Sequence, residues 1–331
     1  MTYKFKNSYI KNCYTIAGMY EKDGPIGKYF DKTYDNNLYF KKDTWEKAEI
    51  KILKEAIDKL IEKDKIKNKD IDLILSGDLQ NQITASNYAI RDTNIPFLGL
   101  YNACSTLAEA IIIASTFIES KKAKNIIVAT SSHNMVAEKQ FRNPTEYGTP
   151  KPKTATFTAT GATSILLTNK ATKIKVESCT ISKIHDLKIN NVNHMGAVMA
   201  PAAAETIYEH LTSLKRKPEY YDIIVTGDLG IYGKNILIDY LKEKYNLNIE
   251  NNYNDCGVML YDIKNQPVFA GASGPVCSAL VTCGYLLKEM EKGKYKKILV
   301  VPTGALFSSS MLFQKETIPS IAHAFSLEAI L

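Results

Sequence analysis

Long apolar runs are missing from this sequence. None reaches the roughly 18 residues of a membrane-spanning helix, and the N-terminal stretch MTYKFKNSYIKNCYTIAG has no continuous apolar segment of the kind a secretory signal carries. The expectation is a soluble chain that stays inside the cell. Cysteine is sparse as well. The six thiols, at positions 13, 104, 179, 256, 277 and 283, include no C-x-x-C pair, which argues against a structural zinc site, and a chain of 331 residues does not need disulfide staples. Reduced thiols and no bound metal or cofactor are expected. The formal net charge of +7 would suit nucleic acid or an anionic membrane surface if it were concentrated. The lysines are instead scattered among asparagine and isoleucine with no basic block interleaved with aromatics, as AT-rich codon usage would produce.

What is present is an echo. IDLILSGDLQNQ (71–82) and YDIIVTGDLGIYG (221–233) share an aspartate, a short apolar strand and then Gly-Asp-Leu; NIIVATSSH (125–133) is matched by KILVVPTGA (297–305). Two echoes in the same order indicate an internal duplication with halves 1–169 and 170–331. Each half alternates strand and helix, which indicates α/β layers. In the first half Trp45, Ala48, Ile52, Ala56 and Leu60 recur at helical spacing over 44–62, with Asp43 and Glu46 placed as a capping box. Strands are expected near 71–76, 96–101, 124–130 and 161–168. In the second half they are expected near 172–182, 221–226, 256–262, 297–302 and 318–327, with Pro201 in the first turn of a helix.

Two further helices, CSTLAEAIIIASTFIES (104–120) and PVCSALVTCGYLLKEM (275–290), lack a polar stripe over most of their length. Water cannot lie along either side, so both belong between two sheets. The predicted architecture is five layers, α-β-α-β-α, with this pair in the middle. Cys104 opens the first of the buried helices. A helix N-terminus offers free N–H groups and the positive end of a dipole, which lower a thiol's pKa and hold an anion.

A duplicated α/β chain with a cysteine in that seat resembles the thiolase fold, which includes thiolases and β-ketoacyl synthases. In that family the nucleophile is assisted by an Asn or His after a second-half strand (NEAF or HQAN) and by a His or Asn in the glycine loop before the second buried helix (GHP or GNTS). Here the first place reads TGDLGIYG and the second FAGASGPVCSA, and the last loop, VVPTGALFSSS, lacks the second cysteine of degradative thiolases. A cysteine nucleophile needs a base or an electrophilic stabiliser within reach, so the expectation is a degenerate site and no catalysis.

Longer runs carry a narrower likeness. KDGPIGKYFDKTYDNN, SGDLQNQITASNY, ATSSHNMVAEKQFRNPTEYGTPKPKTATFTATGA, MAPAAAETI, FAGASG and QKETIPSIAHA together resemble the stage V sporulation protein AD family, over nearly the whole chain. The resemblance implies a thiolase-like protein that binds pyridine-2,6-dicarboxylic acid (dipicolinic acid, DPA), with or without calcium. It implies a role in moving DPA into the spore during sporulation and out at germination, as a peripheral component at the spore inner membrane beside integral-membrane channel proteins. A homodimer is expected, since thiolase-like proteins pair through the strand before the nucleophile, here IPFLGLYN.

DPA is flat and doubly anionic, and calls for cationic or N–H donors in its plane with apolar walls above and below. The polar segment 131–160, too long for a simple connection, supplies His133, Asn134, Arg142, Tyr147 and Lys153. Arg142 can grip a carboxylate with both arms of its guanidinium and His133 can donate. Against this, Arg142 has Glu138 and Glu146 one helical turn away, and His133 suits a satisfied histidine at a strand end. His194, before a helix start, either faces the same cavity or caps the helix. Ser273 and Gly274 stand in the loop that lost its base and offer a hydroxyl and an N–H; Cys277 reads as packing, and Asp78 and Asp228 as residues that orient loops. The rival function is an active acyltransferase or ketoacyl synthase with Cys104 as nucleophile and His133 or His194 as base. A third reading is a scaffold that only docks membrane proteins.

Overall fold

A computed structural model describes residues 1–35, 37–141 and 151–330. Strand alternation sets its layering. In the first half Ile74, Ile127 and Leu166 face one way, into a core with Ile52, Leu53 and Ile57 of the helix Trp45–Asp64. Their strand neighbours Leu75, Val128 and Ile165 face the other way, onto Leu107, Ile111, Val276 and Leu280. The second half repeats the pattern: Val225 and Val300 point to that same central core, while Ile224 and Leu299 meet the helices Met195–Ser213 and Gly230–Tyr245. Successive side chains of a strand lie on opposite faces, so two sheets whose strands are apolar on both faces need three helical layers. Five layers result, as the sequence predicts, with Thr106–Glu119 and the helix from Pro275 to Glu291 in the middle.

The strands of the two halves follow one plan. From the outer edge inward the first half runs Phe97–Gly99, Leu73–Gly77, Asn125–Ser132, Gly161–Thr168 and Tyr9–Ala17; the second runs Tyr253–Asp255, Ile223–Thr226, Lys297–Val301, Ala324–Ala329 and Ile174–Thr180. In each, the first three are parallel neighbours and the last two join antiparallel. The two sets meet where Tyr9 and Ile10 pair with Lys175 and Ile174.

Local expectations are corrected at several points. The first long helix is capped by Thr44, whose Oγ1 accepts from the Lys47 N–H at 3.2 Å. With the cap at 44 the third helical position is Lys47, so the Asp43–Glu46 box does not form, and Asp43 pairs with Lys47 Nζ at 2.7 Å. The strand expected at 256–262 is instead the strand Tyr253–Asp255 followed by the short helix Cys256–Leu260. There Gly257 lies so close to the Ala272 carbonyl that a Cβ would come within 2.4 Å of it. Pro201 lies well inside Met195–Ser213 and not in its first turn, because the helix begins at His194; the proline gives up one intrahelical bond inside a buried, alanine-rich stretch. The last expected strand is divided at His323 into Ser320–Ala322 and Ala324–Ala329.

Candidate functional site

The chain reaches Cys104 through a forced turn. Ala103 takes φ 46°, a left-handed conformation that costs a non-glycine residue energy. Thr106 holds it there: its Oγ1 donates to the Ala103 carbonyl at 2.7 Å and accepts from the Asn102 N–H at 3.1 Å. Ser105 Oγ donates to the Pro302 carbonyl at 3.0 Å. At Gly304 a Cβ would meet the Asn102 carbonyl at 2.8 Å, which is why the last glycine loop can close against this turn.

Three second-half loops converge on the thiol. Asp228, fully enclosed, takes a hydrogen bond from Thr303 Oγ1 to Oδ1 at 2.6 Å and one from the Gly274 N–H to Oδ2 at 3.2 Å. The Cys104 thiol is its third partner. Gly274 has φ +99°, and a Cβ there would meet Ser132 Oγ at 2.8 Å, so glycine presents an N–H where another residue would collide. Cys277 Sγ donates to the Gly227 carbonyl at 3.3 Å, a packing role as expected.

Burial, then the charge of Asp228 and the hydrogen bond to it, push the Cys104 thiol well above its ordinary pKa, although part of the residue remains accessible. This overturns the expectation that the helix N-terminus lowers it: the Gly274 N–H acts in that direction but is outweighed. Burial raises Asp228 to about 7, with Asp255 adding to the rise and the Thr303, thiol and Gly274 donors opposing it. The cluster is therefore a protonated thiol against a carboxyl poised between its two states, with only neutral donors on that carboxyl. It can bind by hydrogen bonds and exchange one proton near neutrality.

Of the residues singled out in the sequence, the structure brings together Cys104 and Gly274, with Ser273 next in the chain on a two-residue strand beside Phe157 and Thr158. Asn134 is one step removed: its Nδ2 donates to the Thr158 carbonyl at 3.3 Å and its N–H to Thr160 Oγ1 at 2.9 Å. His133 is engaged elsewhere, with Nε2 on the Leu38 carbonyl at 2.7 Å and its ring edge-on to Phe40; burial lowers its pKa to about 4. His194 caps the helix Met195–Ser213 through Nδ1, which accepts from Ala197 N–H at 3.3 Å. Arg142 and Tyr147 lie outside the described residues. Asp78 orients its loop as expected, accepting from Gln80 N–H at 2.9 Å and from Ser86 N–H at 2.8 Å. Its echo Asp228 orients two other loops, through the Gly274 N–H and Thr303 Oγ1, while Asp255 holds the turn after it, accepting from the Leu229 and Gly230 N–H groups at 2.9 and 3.0 Å. Thr303, and the place of Asp228 beside the thiol, are what sequence reasoning missed; the signal lies in VVPTG and in the repeated Gly-Asp-Leu. Among the described residues no group of three or more His, Cys, Asp or Glu side chains is placed to hold a metal ion.

Comparison with known proteins agrees with this fold. The chain is similar in fold to 3-oxoacyl-[acyl-carrier-protein] synthase III from Aquifex aeolicus VF5, with a TM-score of 0.55 and 15% identity, covering 97% of this chain and 99% of that one. It is similar also to cerulenin-bound OleA from Xanthomonas campestris, with a TM-score of 0.60, 13% identity and coverage of 97% and 99%. At such identities the likeness establishes the thiolase-like fold alone. A family model described as Stage V sporulation protein AD (SpoVAD) matches residues 1–328. The Stage V sporulation protein AD of Bacillus subtilis (strain 168) is 44% identical over 320 residues, 97% of this chain and 94% of that protein. The chain belongs to the stage V sporulation protein AD family.

Proposed function

We propose that the chain is a non-catalytic DPA-binding protein that serves uptake of DPA in sporulation and its release in germination, as a homodimeric peripheral partner of integral-membrane channel proteins at the spore inner membrane. The observation that carries the reading is the pairing of Cys104 with Asp228. An acyl-transfer nucleophile has to be a thiolate, and a carboxylate in contact with the sulfur opposes that charge. Both histidines offered as bases are occupied, His133 by a carbonyl and His194 by a helix end. What remains in the old active-site seat is a partly accessible thiol beside a buried carboxyl that already takes the Gly274 N–H and the Thr303 hydroxyl, an arrangement for binding and not for acyl transfer. Arg142 and Tyr147, with Asn134 and Ser273, stay candidates for the remaining contacts, and Arg142 for the ionic one; His133 and His194 do not, being held by the Leu38 carbonyl and the helix end. Among the described residues no helix is long and apolar enough to cross a membrane, which suits a peripheral partner.

Calorimetric titration with DPA and with pyridine-2-carboxylate, which lacks one charge, tests the reading. DPA should bind and the monocarboxylate should bind much more weakly; equal heats for both, or none for either, refute it. Incubation with a radiolabelled acyl-CoA tests the rival acyltransferase, and transfer of label to Cys104 with turnover would establish it.

A further inference from the structure

The outward face of the helix Trp45–Asp64 forms the floor of a groove. With the turn through Lys41 and Lys42 on one side and Tyr88 and Arg91 on another, it bounds an open volume of about 970 Å³ that shares no residue with the Cys104 site. Eight lysine or arginine side chains line it against three carboxylates. Those carboxylates are taken: Glu55 by Lys32, Asp58 by Lys54 at 3.0 Å and Glu62 by Lys59 at 2.6 Å. Lys41, Lys42 and Lys51 make no ion pair among the described residues, and Lys51 Nζ donates only to the Phe40 carbonyl, at 2.8 Å.

The turn that carries two of these charges is strained and held. Phe40 and Lys41 have φ of 50° and 64°, where glycine is the usual occupant. Phe40 is buried with its ring against His133 and Tyr34, and His133 Nε2 holds the Leu38 carbonyl. The buried histidine that the Cys104 site does not use is thus an anchor that fixes Lys41 and Lys42, both exposed, over the helix.

We propose that this groove is a second binding site, for a phosphate-bearing polyanion. Lysine ammonium groups are compact point charges without the planar fork that selects a single carboxylate. Spread along a helix and its overhanging turn, they match an anion whose charge is distributed over several centres. The rings of Tyr34 and Tyr88, beneath Lys32 and Arg91, supply the walls. Such phosphates come either as a soluble chain or as the headgroups of a phospholipid surface, and the probes separate the two. Tripolyphosphate is titrated by calorimetry at low salt; vesicles of phosphatidylglycerol in phosphatidylcholine, and of phosphatidylcholine alone, are used for cosedimentation. Binding is expected to tripolyphosphate or to the anionic vesicles, to weaken as salt is raised, and to fall by about tenfold or more in Lys41→Glu/Lys42→Glu. The milder Lys41→Gln/Lys42→Gln, at an unchanged melting temperature, should lose part of it. Lys121→Glu/Lys122→Glu, which makes the same change of net charge on an exposed turn away from the groove, should bind like wild type. Heats with tripolyphosphate alone assign the soluble source, and cosedimentation alone assigns the lipid one. The proposal is overturned if neither probe binds, if the groove variants bind as wild type does, or if the control variant loses as much as they do.

Discussion

At the scale of the residue, the contact between Cys104 and Asp228 decides what the old nucleophile's seat can hold. A dianion brought beside Asp228 is repelled while that carboxyl is ionised and accepted once it is protonated, so DPA affinity should rise as pH falls from 8 to 6, through the value of about 7 that burial gives Asp228. The groups facing it from neighbouring elements are Asp255, Cys256, Cys277 and Cys104. Burial and nearby carboxylates hold all three thiols well above their ordinary range, and Asp255, at about 6, lies lower than Asp228, which leaves Asp228 to carry most of the change. Asp228→Asn should bind DPA more tightly than wild type at pH 8 and show a flattened pH profile in calorimetry; an identical slope in both proteins would place the ligand elsewhere. Occlusion tests the same location. Cys104→Trp should abolish binding with the fold intact by circular dichroism, whereas Cys104→Ser should retain part of it, since one hydrogen bond to a charged group contributes only about 1.5 to 3 kcal/mol. The sequence made Cys104 legible through its place at the head of an apolar helix, and Gly274 through its loop. It could not separate Asp78 from Asp228, because the two sit in matching Gly-Asp-Leu motifs and only the three-dimensional neighbours, Ser86 for one and the thiol for the other, assign different work to them.

At the scale of the element, the periodicities that were read correctly are those that packing enforces on both faces. The strands around Leu75, Val128, Val225 and Val300 and the two helices without a polar stripe had no other way to be buried, so their layer followed from composition. The errors fall where one local contact outweighs pattern: Thr44 over Asp43 as a cap, a helix at Cys256 where Gly257 meets the neighbouring backbone, and a helix that starts at His194 and runs through Pro201. Two predictions belong here. Gly274→Ala would force a side chain at φ +99° within 2.8 Å of Ser132 Oγ, so it should lower stability by about 1 to 3 kcal/mol and move the N–H that serves Asp228; chemical denaturation reads the first and DPA titration the second. Phe97–Gly99 is the outermost strand of the first half, with Leu98 and Tyr101 44% and 49% exposed beside it. An apolar edge so uncovered invites pairing, and a second copy is the expected cover. Sedimentation should give the mass of two chains at micromolar concentration for wild type and of one for Leu98→Lys/Tyr101→Lys; a monomeric wild type removes the idea.

At the scale of the whole molecule, buried carboxyls leave a mark on stability that can be read without any ligand. Burial raises Glu21 and Asp228 to about 7 and Asp255 to about 6, and burial with the Asp78 carboxylate raises Glu49 further. A carboxyl whose native pKa lies above its unfolded value contributes stability that is fully present below the unfolded pKa and is lost as pH rises through the native one, at about 1.4 kcal/mol per pH unit within that interval. Four histidines run the other way: burial lowers His133 and His323 to about 4 and His210 to about 3, and lowers His185 as well, so their contribution is present above the unfolded value near 6.5 and is lost as pH falls. Below about 6.5 the two sets oppose each other and the dependence is shallow. Above it the histidines are neutral in both states and drop out, leaving Glu21, Asp228 and Glu49 to act alone. The melting temperature should therefore fall between pH 6.5 and pH 8. Glu49 should dominate the upper part of that fall, because its carboxyl, hydrogen-bonded to Gln80 at 3.0 Å and to Ser131 at 2.9 Å and in no ion pair among the described residues, is the last to ionise. Glu49→Gln keeps the shape and removes the titration, so its melting temperature should change less over the same interval than that of wild type. Scanning calorimetry of both proteins at the two pH values decides it: equal slopes would mean that Glu49 is already ionised in the folded chain at pH 6.5, stabilised by a partner that its hydroxyl and amide neighbours do not supply.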